Sequence, residues 1–389
     1  MESVFDSKSR IKVDEERVKR LKSILLDAPQ QVDNERNEFL TEVYPTLDGL
    51  HKYVRRAKFN EYLLENKKLY IDDNYFLGSV ASTVAGVYAY AEWNVDWMRE
   101  KESIAKSHLG DMKITEEDHK VFEKIVEYWG DHNVYTSANR VFEETYGYSS
   151  IPAQDAGLFY DGNSWPAGGG NANYPRVLNE GLASMIKECE ERMKALDVTN
   201  DTTDQRYFYE ACIITMKAII KWAHRYAELA RETAAKEKNP ERRAELLEIA
   251  DICDYVPEHP ARNLKEAMQS FLLTHLALEI EVTGCGYSLG YWGQYMEPFY
   301  QKDKAEGRIT YEEAEYLTKL LFIKIQEIGY YHGPKFFKAW SAHVGQTLCI
   351  GGIKEDGTDA TAEMDYVVLD AQIDLQNIQP PWHCSGTPI

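Results

Sequence analysis

The side chains best suited to chemistry in this 389-residue sequence are its ten histidines and six cysteines. Cys189, Cys212, Cys253, Cys285, Cys349 and Cys384 are scattered and form no CxxC pair, so neither a zinc ribbon nor a ferredoxin-type cluster is spelled out. The histidines show no HExxH or HxH spacing, which leaves no metal site to expect. His224 and His275 fall on apolar helix faces and read as satisfied core residues. Gly168-Gly169-Gly170 could suggest a phosphate cradle. No Walker Lys-Ser/Thr follows, however, and the flanks are not strand–GxGxxG–helix. A GxSxG elbow is missing as well, which disfavours a serine hydrolase. Conventional acid–base and nucleophile motifs are therefore absent.

Two Gly/aromatic stretches remain, and their composition forbids regular helix. They are residues 146–175 (YGYSSIPAQDAGLFYDGNSWPAGGGNANYP) and Thr283–Gln294 (TGCGYSLGYWGQ). The elements around them must position them. Residues 10–66 have helical apolar spacing, and Lys68–Gly78 has strand-and-turn character around Asp72-Asp73-Asn74. A helix is expected near 115–130. From Arg176 to Met268 the pattern is helical, broken at Asn239-Pro240 and stopped at Val256-Pro257-Glu258-His259-Pro260. An amphipathic helix follows with Leu264, Ala267, Met268 and Phe271 inward. Helices resume around 297–329, His343–Gly352 is a buried-strand candidate ending in Gly-Gly, and a helix is expected at 360–376. The pattern is a helical shell threaded by short buried strands.

Bulk composition narrows the function. With 44% hydrophobic residues and 26 Tyr, 13 Phe and 8 Trp, the chain can pack a sizeable core. Sixty-four acidic against 44 basic residues give a net charge of −20, which repels phosphate backbones and anionic lipid. No nucleic acid and no membrane partner is expected. Residues 1–20 are charged and lack a signal-peptide apolar stretch, and no run of about 18 apolar residues occurs. Scattered thiols fit a reducing compartment, so a cytoplasmic location is expected.

Ordered blocks of sequence carry a resemblance. Gly345–Pro381 runs from a strand into a Gly351-Gly352 turn, then Asp356-Gly357, Asp359-Ala360 and Glu363, and ends in Gln379-Pro380. Upstream lie Glu297–Thr310, with Pro298, Tyr300, Asp303, Gly307, Ile309 and Thr310, and then Phe322–Ile328. Ala244–Asp251, Pro257 and Ala267-Met268-Gln269 precede them, with a looser match at Asp73, Asn74 and Gly78. Together they resemble the amino-terminal part of the glycyl radical enzymes, the family of pyruvate formate-lyase and its dehydratase, decarboxylase and succinate-adding relatives.

The resemblance implies an α/β fold, a helix-wrapped β/α barrel of two half-sheets that is predominantly helical in this N-terminal part. Residues 1–389 are expected to form that part, with the catalytic Cys loop and C-terminal glycyl radical domain absent. In the family a glycyl radical is the cofactor, installed by a separate S-adenosylmethionine-dependent iron–sulfur activase. None of it is expected to be bound by this chain. The thiyl cysteine lies in a Gly-Cys-x-Glu loop that these residues lack. Cys384 has neither the flanking Gly nor the following Glu, and Cys349 reads as a small core hydrophobe. No catalytic residue is therefore expected in the chain, which alone should be inactive.

Two pocket segments remain to line a small-molecule site. In Gly168–Tyr174, Gly169 and Asn173 stand where the family often carries His and Asp. Diol dehydratases of the family have a His-Ser pair and an Arg where this chain has Cys285-Gly286 and Tyr291, which leaves a polyol short of partners. The expected substrate-binding residues are Asn171, Asn173, Cys285, Tyr287, Tyr291 and Trp292, the last three able to wall an apolar or aromatic substrate. The pattern looks closer to arylacetate decarboxylases and arylalkylsuccinate synthases. The expected function is radical cleavage of a small carboxylate or aromatic substrate by a lyase, with a decarboxylase as the lyase type considered first. Fumarate addition, dehydration, other carbon–heteroatom cleavage and a non-catalytic scaffold are the alternatives. A homodimer is common in the family.

Overall fold

The computed structural model describes residues 11–99, 114–156, 158, 170–197, 199, 202–281, 287–331, 346–376 and 380–385, the last four as backbone. The chain begins with α1 (Glu15–Asp27), β1 (Gln31–Asp33), α2 (Glu35–Val43), α3 (Lys52–Asn66) and β2 (Gly86–Tyr88). The middle is helical: α4 (Glu116–His132), α5 (Val134–Tyr146), the short α6 (Ile151–Asp155), α7 (Tyr174–Ala195), α8 (Thr203–Lys236) and α9 (Pro240–Tyr255). Then come α10 (Leu264–Glu281), α11 (Trp292–Ala305), α12 (Tyr311–Gln326), β3 (Leu348–Gly351), α13 (Glu363–Leu375) and β4 (Trp382–Ser385).

The ladders are short and parallel. In one, β1 runs beside β2 with Gln31 opposite Gly86 and Asp33 opposite Tyr88. Tyr88 continues it to Tyr330, its N–H donating to Gly329 O at 3.2 Å and its carbonyl accepting from Tyr331 N at 2.8 Å. In the other, Gly170 pairs with Tyr287, Gly290 with Leu348, and β3 with β4 from Leu348↔Trp382 to Gly351↔Ser385. Parallel strands need long crossovers, and the helices supply them. With three residues each, β1 and β2 are too short to show a period in the sequence.

Helix α10 is the central element. Nearly all its side chains are buried, the polar Glu266, Gln269, Ser270, Thr274, His275 and Glu279 included. Outside it, α8 packs against α3, α7 and α9. Asn239 caps α9 by accepting from Glu241 N at 2.9 Å, which explains the break read at Asn239-Pro240. Within α7 the backbone leaves helical geometry at Gly181, whose φ of +73° only glycine adopts freely. There Leu182 N reaches Pro257 O at 2.9 Å and Ala183 N reaches Glu258 O at 3.0 Å.

The structure corrects several expectations. Lys68–Gly78 makes turns and no ladder: Asp72 accepts from Asn74 N, and Asn74 from Phe76 N. The amide of Gln269, on buried α10, takes both backbone groups of Leu77 at 3.0 and 2.7 Å, doing the work of a neighbouring strand. The helix expected from 297 begins earlier, at Trp292. His224 is not a core residue; its side chain is 41% exposed and lies 3.5 Å from Glu258. Cys349 is half-buried in β3. Among the described residues, no helix is long and apolar enough to cross a membrane.

Candidate functional site

The second ladder gathers three of the six pocket residues expected from the sequence. Its Gly170–Tyr287 step is closed by Ser288 N donating to Gly170 O at 2.9 Å. The Tyr287 ring lies over Gly170, with Cε1 3.1 Å from where a Cβ on that glycine would stand. Burial first, then the charges of Glu281 and Glu279, push the half-buried Tyr287 phenol up to about 12. Next along the ladder, Gly290 has φ +67° and lies against Asn171, whose Nδ2 would be 2.6 Å from a Cβ there. Exposed Asn171 can approach only because that position has no side chain. Exposed Tyr291 sits over Gly352, its Cε1 3.0 Å from the corresponding Cβ position.

Asn171, Tyr287 and Tyr291 thus stand on adjacent steps of one ladder. The other three expected residues do not join them in the same way. Asn173 caps α7, its Oδ1 accepting from Arg176 N at 3.2 Å, so its side chain has a structural task. Trp292 is buried, its ring 6.4 Å from that of Phe271 and 5.9 Å from that of Phe322, and so it packs in the core. It begins α11, and the inward face of that helix claims it. Cys285 lies outside the described residues, as do Gly168 and Gly169.

Below this ladder is a buried polar group that motif reading missed. Tyr174 donates to His275 Nδ1 at 2.8 Å, and His275 Nε2 donates to Gln346 Oε1 at 2.8 Å. Since an amide oxygen only accepts, Nε2 carries the proton and Nδ1 is the acceptor for Tyr174. Burial lowers His275 to about 4, partly offset by Gln346, so the imidazole is neutral near pH 7. One turn on, Glu279 accepts from Tyr330 OH, while its own carbonyl accepts from Tyr90 OH at 2.5 Å. The available signal was the i,i+4 spacing of His275 and Glu279 on one helix face, which does not name Tyr174 or Gln346 as partners.

Two arginines fix the C-terminal end of α10. Arg36 donates to Ile280 O at 3.0 Å and Glu281 O at 3.1 Å; Arg56 donates to Glu281 O and to its side chain at 3.1 Å. Cations suit a helix C-terminus, where carbonyls lack partners. Both arginines also hold Glu92, Arg36 at 3.0 and 2.6 Å and Arg56 at 3.1 Å. Burial opposes the charge on Glu92, but the two guanidiniums outweigh it and bring that carboxyl down to about 2. Among the described residues no group of three or more His, Cys, Asp and Glu could hold a metal. The arrangement can position an uncharged or weakly acidic group between phenols and an amide. It offers no ionised nucleophile.

Residues 9–385 match the pyruvate formate lyase-like family, and the chain belongs to that family. It is 33% identical over 362 residues to isethionate sulfite-lyase of Nitratidesulfovibrio vulgaris, covering 88% of this chain and 43% of that protein. Indoleacetate decarboxylase of Tractidigestivibacter scatoligenes is 27% identical over 398 residues, covering 94% and 45%. A solved structure concerning 1,2-propanediol dehydration in Roseburia inulinivorans superposes with a TM-score of 0.89 at 27% identity, over 98% of this chain and 48% of that one. The expected helix-wrapped barrel fold is thereby established, the two parallel ladders being its strands. The chain spans less than half the length of these relatives. A sulfite-lyase, a decarboxylase and a diol-dehydrating enzyme share the fold, so these likenesses fix the class of glycyl radical enzymes and not one leaving group. They do not place the chain nearer the decarboxylases.

Proposed function

We propose that this chain supplies one wall of the substrate site in a glycyl radical lyase acting on a small carboxylate or aromatic compound. The thiyl cysteine and the radical glycine are contributed by sequence outside residues 1–389. The observation that carries the reading is the ladder edge where Tyr287 covers Gly170, Asn171 abuts Gly290 and Tyr291 covers Gly352. In this family a radical relayed to a cysteine supplies hydrogen-atom abstraction from substrate.

The residues of this chain do the binding and the sheltering. Tyr287 offers a ring face and a phenol that keeps its proton at neutral pH. Tyr291 offers a second ring, and Asn171 an amide that can donate and accept. His275, Glu279 and Gln346, all without solvent exposure, hold the floor in one hydrogen-bonded geometry. Such preorganisation keeps water from a reactive site. Release of carbon dioxide from an arylacetate suits the two rings. Release of sulfite from a small sulfonate is the second reading, favoured by the 33% identity to a sulfite-lyase.

The test is anaerobic activation of the full-length protein by an S-adenosylmethionine-dependent activase. It is followed by electron paramagnetic resonance and product analysis with an arylacetate, a hydroxyalkyl sulfonate and a diol. A glycyl doublet with turnover of the arylacetate or the sulfonate is expected. A protein that gives no doublet, or that turns over the diol alone, would sink the reading.

A further inference from the structure

Away from the barrel ladders, helices α3, α7 and α8 line an open-mouthed cavity of about 510 Å3. Its walls include Tyr53 of α3, Met185 and Cys189 of α7, and Phe208, Cys212 and Met216 of α8. These sulfur and aromatic side chains give the cavity a soft, polarisable, apolar part. The volume falls within the roughly 300–1,000 Å3 of small-molecule sites.

The charges at the rim decide the ligand class. Three arginines line the cavity, and each is already matched. Arg176 holds Glu180 at 3.0 Å and also Glu188; Arg192 holds Glu188 at 2.8 Å; Arg56 holds Glu281 at 3.1 Å and Glu92 at 3.1 Å. An anion would have to displace a carboxylate, so none of the three is a free anchor. The thiols are also weak nucleophiles near neutral pH. Burial, and then neighbouring Cys189, raise Cys212 to about 11, and burial raises Cys189 too, so both line the wall as protonated groups.

We infer that this cavity is a second binding site, for an uncharged, largely apolar molecule with a planar ring, held without a covalent bond. The inference does not depend on which reaction the barrel performs.

The neutral fluorophore N-phenyl-1-naphthylamine, titrated into the full-length protein, tests it. A saturable rise in emission with a micromolar dissociation constant is expected. Cys212→Phe, which fills the space, should weaken binding by about tenfold or more, whereas Cys212→Ser should stay within about threefold. Alkylation of wild-type Cys212 by N-ethylmaleimide, followed by peptide mass spectrometry, should slow several-fold at saturating probe. That second measurement stands even where the filled variant does not fold. Unsaturable emission, or a Cys212 alkylation rate that the probe leaves unchanged, overturns the site. Tighter binding of the anionic 8-anilinonaphthalene-1-sulfonate than of the neutral probe overturns the ligand class.

Discussion

His275 and Glu279 stand one turn apart on α10, their side chains 3.7 Å from each other and wholly buried. Each faces a different ladder. His275 reaches Gln346, next to the strand that pairs with Gly290, while Glu279 is reached by Tyr330, which pairs with Tyr88. A single helical turn therefore ties both parallel ladders to the central helix. Buried polar networks of this kind specify one packing arrangement, because any slip leaves a group without its partner.

Removing the imidazole should be costly. His275→Leu leaves the Tyr174 hydroxyl and Gln346 Oε1 buried without their present partner, and each such loss costs about 1–3 kcal/mol. Denaturant unfolding should show a loss of roughly 2–5 kcal/mol, with a smaller loss for His275→Gln, whose amide can still bond one neighbour. Equal stability of His275→Leu and the wild type would show that the two hydrogen bonds contribute nothing net.

The same residue sets an acid limit. His275 is lowered from 6.5 to about 4, so between those values the unfolded chain binds a proton that the folded chain does not. Stability should fall as pH drops through that window, by about 3 kcal/mol in total, and this component should level off below pH 4. Comparing unfolding of the wild type with His275→Gln from pH 7 to 4 isolates it, because the variant lacks the titrating group.

Glu92 makes the opposite acid–base case with the same outcome. Its carboxyl is lowered from 4.5 to about 2 by Arg36 and Arg56, so its stabilisation is complete above pH 4.5 and is lost as pH falls towards 2. Glu92→Gln leaves fully buried Arg36 with one of its charge partners gone, and breaking such a pair costs about 3–5 kcal/mol. Hydrogen exchange at the C-terminal amides of α10 should rise in this variant, because Arg36 and Arg56 also hold the carbonyls of Ile280 and Glu281.

The blocks that made the family legible are mostly scaffold. Thr310 and Glu313 form a reciprocal cap at the start of α12, and Asp303 accepts from Leu264 N at 2.8 Å while holding Arg308. Asp356 and Asp359 close turns onto Thr358 and Thr361, and Glu363 binds Lys304 and Tyr300. Turns and caps demand particular residues at fixed local spacing, so a sequence displays them. The polar group around His275 joins residues 71 to 101 positions apart through α10, and no local pattern reveals that. Trp292 and Asn173 show the same limit: Trp292 packs in the core at the start of α11 and Asn173 caps α7, and neighbouring glycines in the sequence reveal neither placement.

The last prediction concerns the ladder edge. Tyr291 is 43% exposed over Gly352, and Tyr287 is half-buried over Gly170. If these rings wall the substrate, Tyr291→Ala and Tyr287→Ala in the full-length activated protein should each lower kcat/KM for an aromatic carboxylate by about 10–100-fold, the scale of one lost ring contact of about 1.5–3 kcal/mol. Tyr287→Phe should keep most of the activity, because the phenol is protonated near neutral pH and its ring supplies the contact. The glycyl radical signal after activation should be unchanged in all three, since none of these side chains belongs to the radical-bearing loop. Full activity in both alanine variants would move the substrate to another face of the barrel. Loss of the radical signal along with activity would assign the tyrosines to packing.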